Sequence, residues 1–214
     1  MDYKKSPIVL DALMFVVPLA VFVAISIWWV SAYLTVFFVL IAFFVLWFFR
    51  NPERSIPGDP GAIVSPADGR VIKIEEVDET DMLDGKFKKI SIFMNIFNVH
   101  VNRCPYPGVI KRIRYRKGKF FSADLDKASS QNERNSLVIE TEEGKQILVV
   151  QIAGLVARRI VCWVKEGGVL EKGERFGLIR FGSRLEVFMP IDTEILVKVG
   201  DRVKAGHTKV GEMV

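Results

Sequence analysis

Ser183 stands directly after Gly182, ahead of an alternating run in RFGSRLEVFMP, residues 180–190. Leu185, Val187 and Met189 fall on one side and Glu186 and Phe188 on the other, which is the period of a strand. A glycine ahead of a serine lets the backbone bend until the hydroxyl reaches the preceding carbonyl. Attack of Ser183 Oγ on the Gly182 carbonyl would turn the peptide bond into an ester. Elimination across the serine Cα–Cβ bond would then cut the chain and leave dehydroalanine. Hydrolysis with loss of ammonia would give a pyruvoyl group, an electron sink able to form a Schiff base as pyridoxal phosphate does. A Gly-Ser pair also serves as an ordinary turn, so its meaning depends on what accompanies it. A serine nucleophile needs a base nearby, and the available set is His100 and acids such as Asp68. FGSRL lacks the G-x-S-x-G pattern and runs into a strand rather than a helix, which disfavours an esterase elbow.

The other reactive side chains are few. Cys104 and Cys162 are far apart and in no C-x-x-C, so they suggest neither a disulfide framework nor a zinc site. Each reads as a small hydrophobe. With only His100 and His207 in the chain, an all-histidine metal site is excluded, and no metal is expected. His207, flanked by glycine in VKAGHTKVG, reads as a solvated turn residue. Residues 111–119 carry six Lys or Arg in nine positions. Ile113 and Tyr115 point one way and Arg112, Arg114 and Arg116 the other. That basic edge is either a solvated strand face or a surface for anionic lipid phosphates. Its aromatic interleaving is too thin for a nucleic-acid stacking platform.

These residues need elements to hold them. Residues 12–49 are 38 positions without a charge. One straight helix of that length would run about 57 Å, nearly twice a hydrocarbon core of ~30 Å. Two short transmembrane helices with a turn near residues 29–33 fit better, with Trp28, Trp29 and Tyr33 suited to an interface. Pro18 is placed to kink the first. Lys4 and Lys5 before the block and Arg50 and Arg54 after it put both ends on the cytoplasmic side. The segment is too long for a secretory signal. Residues 1–50 thus read as a membrane anchor, and NPERSIPGDPG (51–61), rich in proline and glycine, reads as a linker. In the first 49 residues two lysines and two aspartates cancel, so the net charge of +5 lies on the remainder. A basic domain tethered to a leaflet suggests attraction to anionic head groups. From residue 62 the pattern is short strands: 62–77, 87–95, 108–120, a hairpin over 136–154 about Glu143–Gly144, and a glycine-rich closing pair. Short helices are expected only at 122–135 and 155–166. The expectation is an α+β chain whose β-rich, barrel-like or sandwich domain (62–214) is cytoplasmic and carries an N-terminal transmembrane helical hairpin.

Four motifs, in order behind the apolar segment, give the Gly-Ser pair its company: VSPADGRV (64–71), NVHVNRCPYPG (98–108), NERN (132–135) and FGSR (181–184). Together they resemble the phosphatidylserine decarboxylase family, in its shorter class, over essentially all of residues 50–214. The resemblance implies a proenzyme that cuts itself between Gly182 and Ser183 into a β chain (1–182) and an α chain (183–214). It implies a covalent pyruvoyl group made from Ser183, which forms a Schiff base with phosphatidylserine and releases phosphatidylethanolamine at the cell membrane. Asp68 would support self-processing and His100 the decarboxylation. Longer members carry H-x-x-H where this chain reads H-V-N-R, which places Arg103 at the second histidine. Either His100 then serves both steps or Asp68 works with another partner, and Arg103 could hold a carboxylate or phosphate bidentately. Arg112, Arg114 and Arg116 are candidate substrate-binding residues. NERN reads as structural, its Asn and Glu tying loop backbone and Arg134 pairing with an acid, with a substrate role for the motif as the alternative. The substrate is an anionic serine phospholipid, diacyl or ether-linked. A homo-oligomer is left open.

Two other classes share parts of this pattern. SPADGRVIKIEEV and VKVGDRVKAGHTKVG look like the hairpins of lipoyl-type carrier domains, and a membrane-anchored carrier or adaptor would use such a hybrid barrel. Lys73 and Lys145 are poor candidates for its modified lysine. A lipid-binding module without chemistry is the third reading. Both require one uncut chain.

Overall fold

The computed structural model describes residues 6–29, 31–119, 131–154, 159–180 and 182–213. The chain divides into two compact units, 1–53 and 54–214.

In the first unit a short 3-10 helix (Leu10–Ala12) leads into α1 (Leu13–Trp29), followed by α2 (Ala32–Phe48). Ser31 caps α2, its hydroxyl accepting from the Tyr33 amide at 3.3 Å, the role that serine fills at a helix start. The two helices run back along each other. Ser26 and Thr35 share a hydroxyl hydrogen bond of 2.9 Å near the turn, Phe22 stacks on Phe38, and Ile8 bridges Arg50 at the far end. Residues Leu10–Trp28 are long and apolar enough to cross a membrane, and α2 is apolar but shorter. The turn lies where the sequence places it. Lys4 and Lys5, on which the orientation argument leaned, are outside the described residues.

The second unit is mostly antiparallel β-sheet. Its strands are β1 (Ala62–Val64), β2 (Gly69–Glu79), β3 (Gly85–Met94), β4 (Val101–Arg103), β5 (Gly108–Arg116), β6 (Arg134–Glu140), β7 (Gln146–Ala153), β8 (Ile160–Cys162), β9 (Val169–Leu170), β10 (Arg175–Ile179), β11 (Ser183–Pro190), β12 (Glu194–Ile195), β13 (Arg202–Val203) and β14 (Lys209–Glu212). Eight of them form one curled sheet in the order β13-β2-β3-β11-β7-β6-β5-β9. It stays open at β13 and β9, so it is half a barrel rather than a closed one. Two three-stranded sheets, β1-β14-β12 and β4-β10-β8, accompany it. The principal core joins all three. Ile90, Ile92, Leu137, Val149, Leu185 and Val187 of the large sheet cluster with Ile63, Val210 and Phe176 of the small ones. The other face of the large sheet has its own cluster around Leu148, Phe188 and Ile152, with Met82 and Leu83 of the β2–β3 connection.

The expected hairpin of 136–154 is β6 and β7. Gly144 turns it at φ 78°, a left-handed conformation that glycine adopts at no steric cost. Of the expected helices, Gln131 is helical, but the described residues beyond it are not. Arg134 and Asn135 open β6, and Ile160–Cys162 pairs with β10 as β8, so sheet pairing overrides a weak local preference. Residues 122–130 and 155–158 lie outside the described residues.

Candidate active site

β11 occupies the middle of the large sheet, between β3 and β7. Ser183 pairs with Met94 on one side and Ala153 on the other. Strand alternation sends its side chain to the same face as Leu185 and Val187, into the principal core, and no part of Ser183 is exposed. Gly182, just before the strand, has φ 67°. A Cβ there would meet nothing within 4 Å, so glycine is required by the backbone angle and not by crowding. The Gly182 carbonyl accepts a hydrogen bond from the Gly154 amide at 3.1 Å. That bond holds the carbonyl still and draws electron density towards its oxygen, the sense of polarisation that favours attack on its carbon. Ser183 Oγ donates to Met94 Sδ at 3.3 Å.

The SPADG segment is fastened on every side. Ser65 Oγ donates to the Ala67 carbonyl at 2.7 Å, the Ser65 amide donates to the Thr208 carbonyl, and Gly206 donates to the Ser65 carbonyl. Asp68 is buried. Its Oδ2 accepts from Arg54 Nη2 at 2.8 Å and its Oδ1 from the Ala205 amide at 2.8 Å. Gly69 then enters the sheet so close to β3 that any side chain would collide with the Phe93 carbonyl oxygen. Arg70 pairs with Phe93, and Phe93 with Arg184. Asp68 therefore lies at the same end of the sheet as the Gly182–Ser183 bond, two strand spacings away, about 10 Å. Its hydrogen bonds go to Arg54 and Ala205, not to Ser183.

His100 is 2% exposed and directly precedes β4. Its Nδ1 lies 3.0 Å from the Asn98 carbonyl. A carbonyl only accepts, so Nδ1 carries the hydrogen of this contact, and Nε2 is the nitrogen at which a proton could be exchanged. Two residues on, Asn102 points its amide at Met94 Sδ, 3.8 Å away. Met94 is thus the common neighbour of Asn102 in β4, the strand that follows His100, and of Ser183.

Arg103 is buried, and its Nη1 donates to the Gly173 carbonyl at 2.9 Å while its amide donates to the Pro66 carbonyl. It ties the SPADG segment to the turn before β10. Arg112, Arg114 and Arg116 are elsewhere. Through Val138, Leu148 and Phe188, and through Arg134, Ile152 and Arg184, they share the sheet face opposite the Ser183 side chain, three strands from β11. Arg114 and Arg116 both reach Asp81 of the β2–β3 connection, and Arg134 lies 3.7 Å from it. His207 is exposed, with Nδ1 3.0 Å from the Ser55 carbonyl. Burial pushes the Cys104 thiol up to about 12, and it donates to the Tyr106 carbonyl, so it is no nucleophile at neutral pH. Among the described residues no group of three or more His, Cys, Asp or Glu could hold a metal ion.

NERN supports the strand beside the Gly182–Ser183 bond. Asn132 Nδ2 donates to the Ala153 carbonyl at 2.8 Å, the Ala153 amide donates to the Glu133 carbonyl, and Asn135 Nδ2 donates to Gln151 Oε1 at 3.0 Å. Sequence reasoning passed over Met94, Asn102, Gln151 and Gly154. A signal existed for two of them. Gln151 interrupts the apolar run ILVVQIA, and Asn102 repeats, two residues on, the inward position of His100.

The family model described as phosphatidylserine decarboxylase matches residues 41–211. A phosphatidylserine decarboxylase proenzyme of Syntrophus aciditrophicus is 61% identical over 168 residues, 78% of this chain and 79% of that protein. One from Desulfotalea psychrophila is 51% identical over 85% of each chain, and one from Geotalea uraniireducens is 46% identical over 99% of each. This chain belongs to the phosphatidylserine decarboxylase family.

Proposed function

We propose that this chain is the proenzyme of a membrane-bound, pyruvoyl-dependent enzyme that decarboxylates phosphatidylserine to phosphatidylethanolamine, and that it makes its own prosthetic group at Ser183. The observation that carries the reading is the Gly182–Ser183 bond itself: a glycine at φ 67°, its carbonyl held by the Gly154 amide, and a fully buried serine next to it. A surface turn needs none of these.

The cut begins when Ser183 Oγ attacks the Gly182 carbonyl carbon. The C–N bond breaks, the C–Oγ ester bond forms, and the hydroxyl proton ends on the Ser183 nitrogen. Loss of the Ser183 Cα proton then expels Gly182 as a carboxylate, which keeps Oγ. Water replaces the nitrogen of the resulting dehydroalanine as ammonia. The pyruvoyl ketone would serve as the electron sink when carbon dioxide leaves the serine head group. His100, whose Nδ1 donates to the Asn98 carbonyl, is assigned the proton transfers of that reaction. Asp68, held by Arg54 and Ala205 at the same end of the sheet, is assigned to self-processing. The α1–α2 hairpin would anchor the domain with its catalytic unit on the cytoplasmic side, where the lipid substrate's head group lies. Confinement to the leaflet raises the encounter rate through effective concentration.

Intact mass spectrometry of the full chain purified in detergent tests the reading. Two chains are expected, the smaller being 183–214 with a serine start converted to pyruvoyl, together with carbon dioxide release from phosphatidylserine. Ser183→Ala should stay a single inactive chain, and a cut, active Ser183→Ala would end the proposal.

A further inference from the structure

The Ser183 face of β11 is apolar beyond its first residue, yet three amide side chains are buried at that end: Asn102 and Gln151 with no exposure and Asn135 with 2%. A buried amide is costly unless its hydrogen bonds are made, and these are made to one another. Asn135 Nδ2 donates to Gln151 Oε1 at 3.0 Å, and Gln151 Nε2 donates to Asn102 Oδ1 at 2.8 Å. Asn102 Nδ2 then points at Met94 Sδ at 3.8 Å, and the same sulfur accepts from Ser183 Oγ at 3.3 Å. The run crosses from β6 to β7, to β4, to β3, and ends on the nucleophile.

Direction is built into such a run. Each amide has one donor end and one acceptor end, so fixing the first fixes every other. Met94 is the flexible member, since a thioether on an unbranched chain turns easily. Asn102 on one side and Ser183 on the other hold that rotor in place. Across the forming bond, the Gly154 amide holds the Gly182 carbonyl. We propose that Asn135, Gln151, Asn102 and Met94 are positioning residues that align Ser183 Oγ on the Gly182 carbonyl for the acyl shift. The proposal rests on the self-cleavage reading above. Its effect is confined to maturation, because Oγ departs with Gly182 when the chain is cut.

Met94→Leu tests it, since the swap keeps the volume and removes the acceptor. Three quantities are read on the full chain in detergent: the maturation rate on denaturing gels, the rate of cutting by added hydroxylamine, which captures the ester, and the melting temperature. The expected result is at least a ten-fold loss in both rates, in parallel, with the melting temperature within about 4 °C of the parent. A wild-type maturation rate overturns the proposal. So does undiminished cutting by hydroxylamine, which would place the defect after the acyl shift. A loss in turnover per cut chain as large as the loss in maturation overturns it as well. Should Met94→Leu fail to fold, Asn135→Ala, which does not touch Ser183, carries the same test with at least a three-fold loss expected. A parent chain that never cuts overturns the self-cleavage reading and the relay together, whereas a parent that cuts no faster than these variants overturns the relay alone.

Discussion

Gly182 and Ser183 divide between them what a self-cutting bond requires. The glycine supplies a backbone angle that costs other residues about 1–2 kcal/mol, and the serine supplies the oxygen. Cys104, in the principal core, shows how strongly that interior selects protonation state. Burial raises its thiol to about 12, with Glu174 and Glu171 adding to the shift and the Tyr106 hydrogen bond opposing it. The unfolded chain begins to lose that proton near pH 9, while the folded chain keeps it. Between those values the unfolded state binds fewer protons, so stability falls as pH rises, by about 1.4 kcal/mol per unit from this group. Below pH 9 both states are protonated and the term is silent. Denaturant titrations from pH 8 to 10.5 should show the parent losing about 1–2 kcal/mol more than Cys104→Ala. Equal losses would contradict this assignment.

At the scale of elements, β11 and β5 show what the sequence discloses and what it withholds. The alternation in 180–190 was sufficient to place a strand, and its period puts Ser183 on the Leu185 side, as found. Asp68, His100 and Ser183 were legible as motif residues because their neighbours in sequence are diagnostic. Gln151 and Asn102 were not, because a hydrogen bond between β7 and β4 depends on which strands pack, and pairing order has no local signature. The helices expected at 122–135 and 155–166 failed for the same reason at Arg134–Asn135 and Ile160–Cys162. The basic strand was read correctly for its alternation, but its face is opposite the Ser183 side chain, and two of its arginines share Asp81. If that face meets anionic head groups, each arginine is worth up to about 1 kcal/mol at the surface, less what Asp81 already offsets. Replacing Arg112, Arg114 and Arg116 together with Gln should raise the apparent KM for phosphatidylserine in mixed micelles about ten-fold and flatten its salt dependence, with self-cleavage intact. An unchanged KM and salt dependence would remove the head-group role.

For the whole molecule, the decisive feature is how residues 183–214 are woven into the rest. β11 lies between β3 and β7, β13 pairs with β2, and β14 is the middle strand of β1-β14-β12. A cut between Gly182 and Ser183 therefore separates the chains in covalent terms only. The mature protein should elute in detergent as one species containing both pieces, which part only on unfolding. Release of the small chain under native conditions would count against this topology as the mature one. The burial of Ser183 has one more consequence. Ser183 is fully buried at the start of a central strand, so on the self-cleavage reading the cut is intramolecular, first-order in the protein and indifferent to its concentration. Both neighbouring strands must also be in place before the oxygen and the carbonyl face each other. On that reading the reaction would act as a timer started by the last step of folding, and a chain that misassembled its sheet would never acquire a prosthetic group. Catalytic competence would then double as a record that folding was completed.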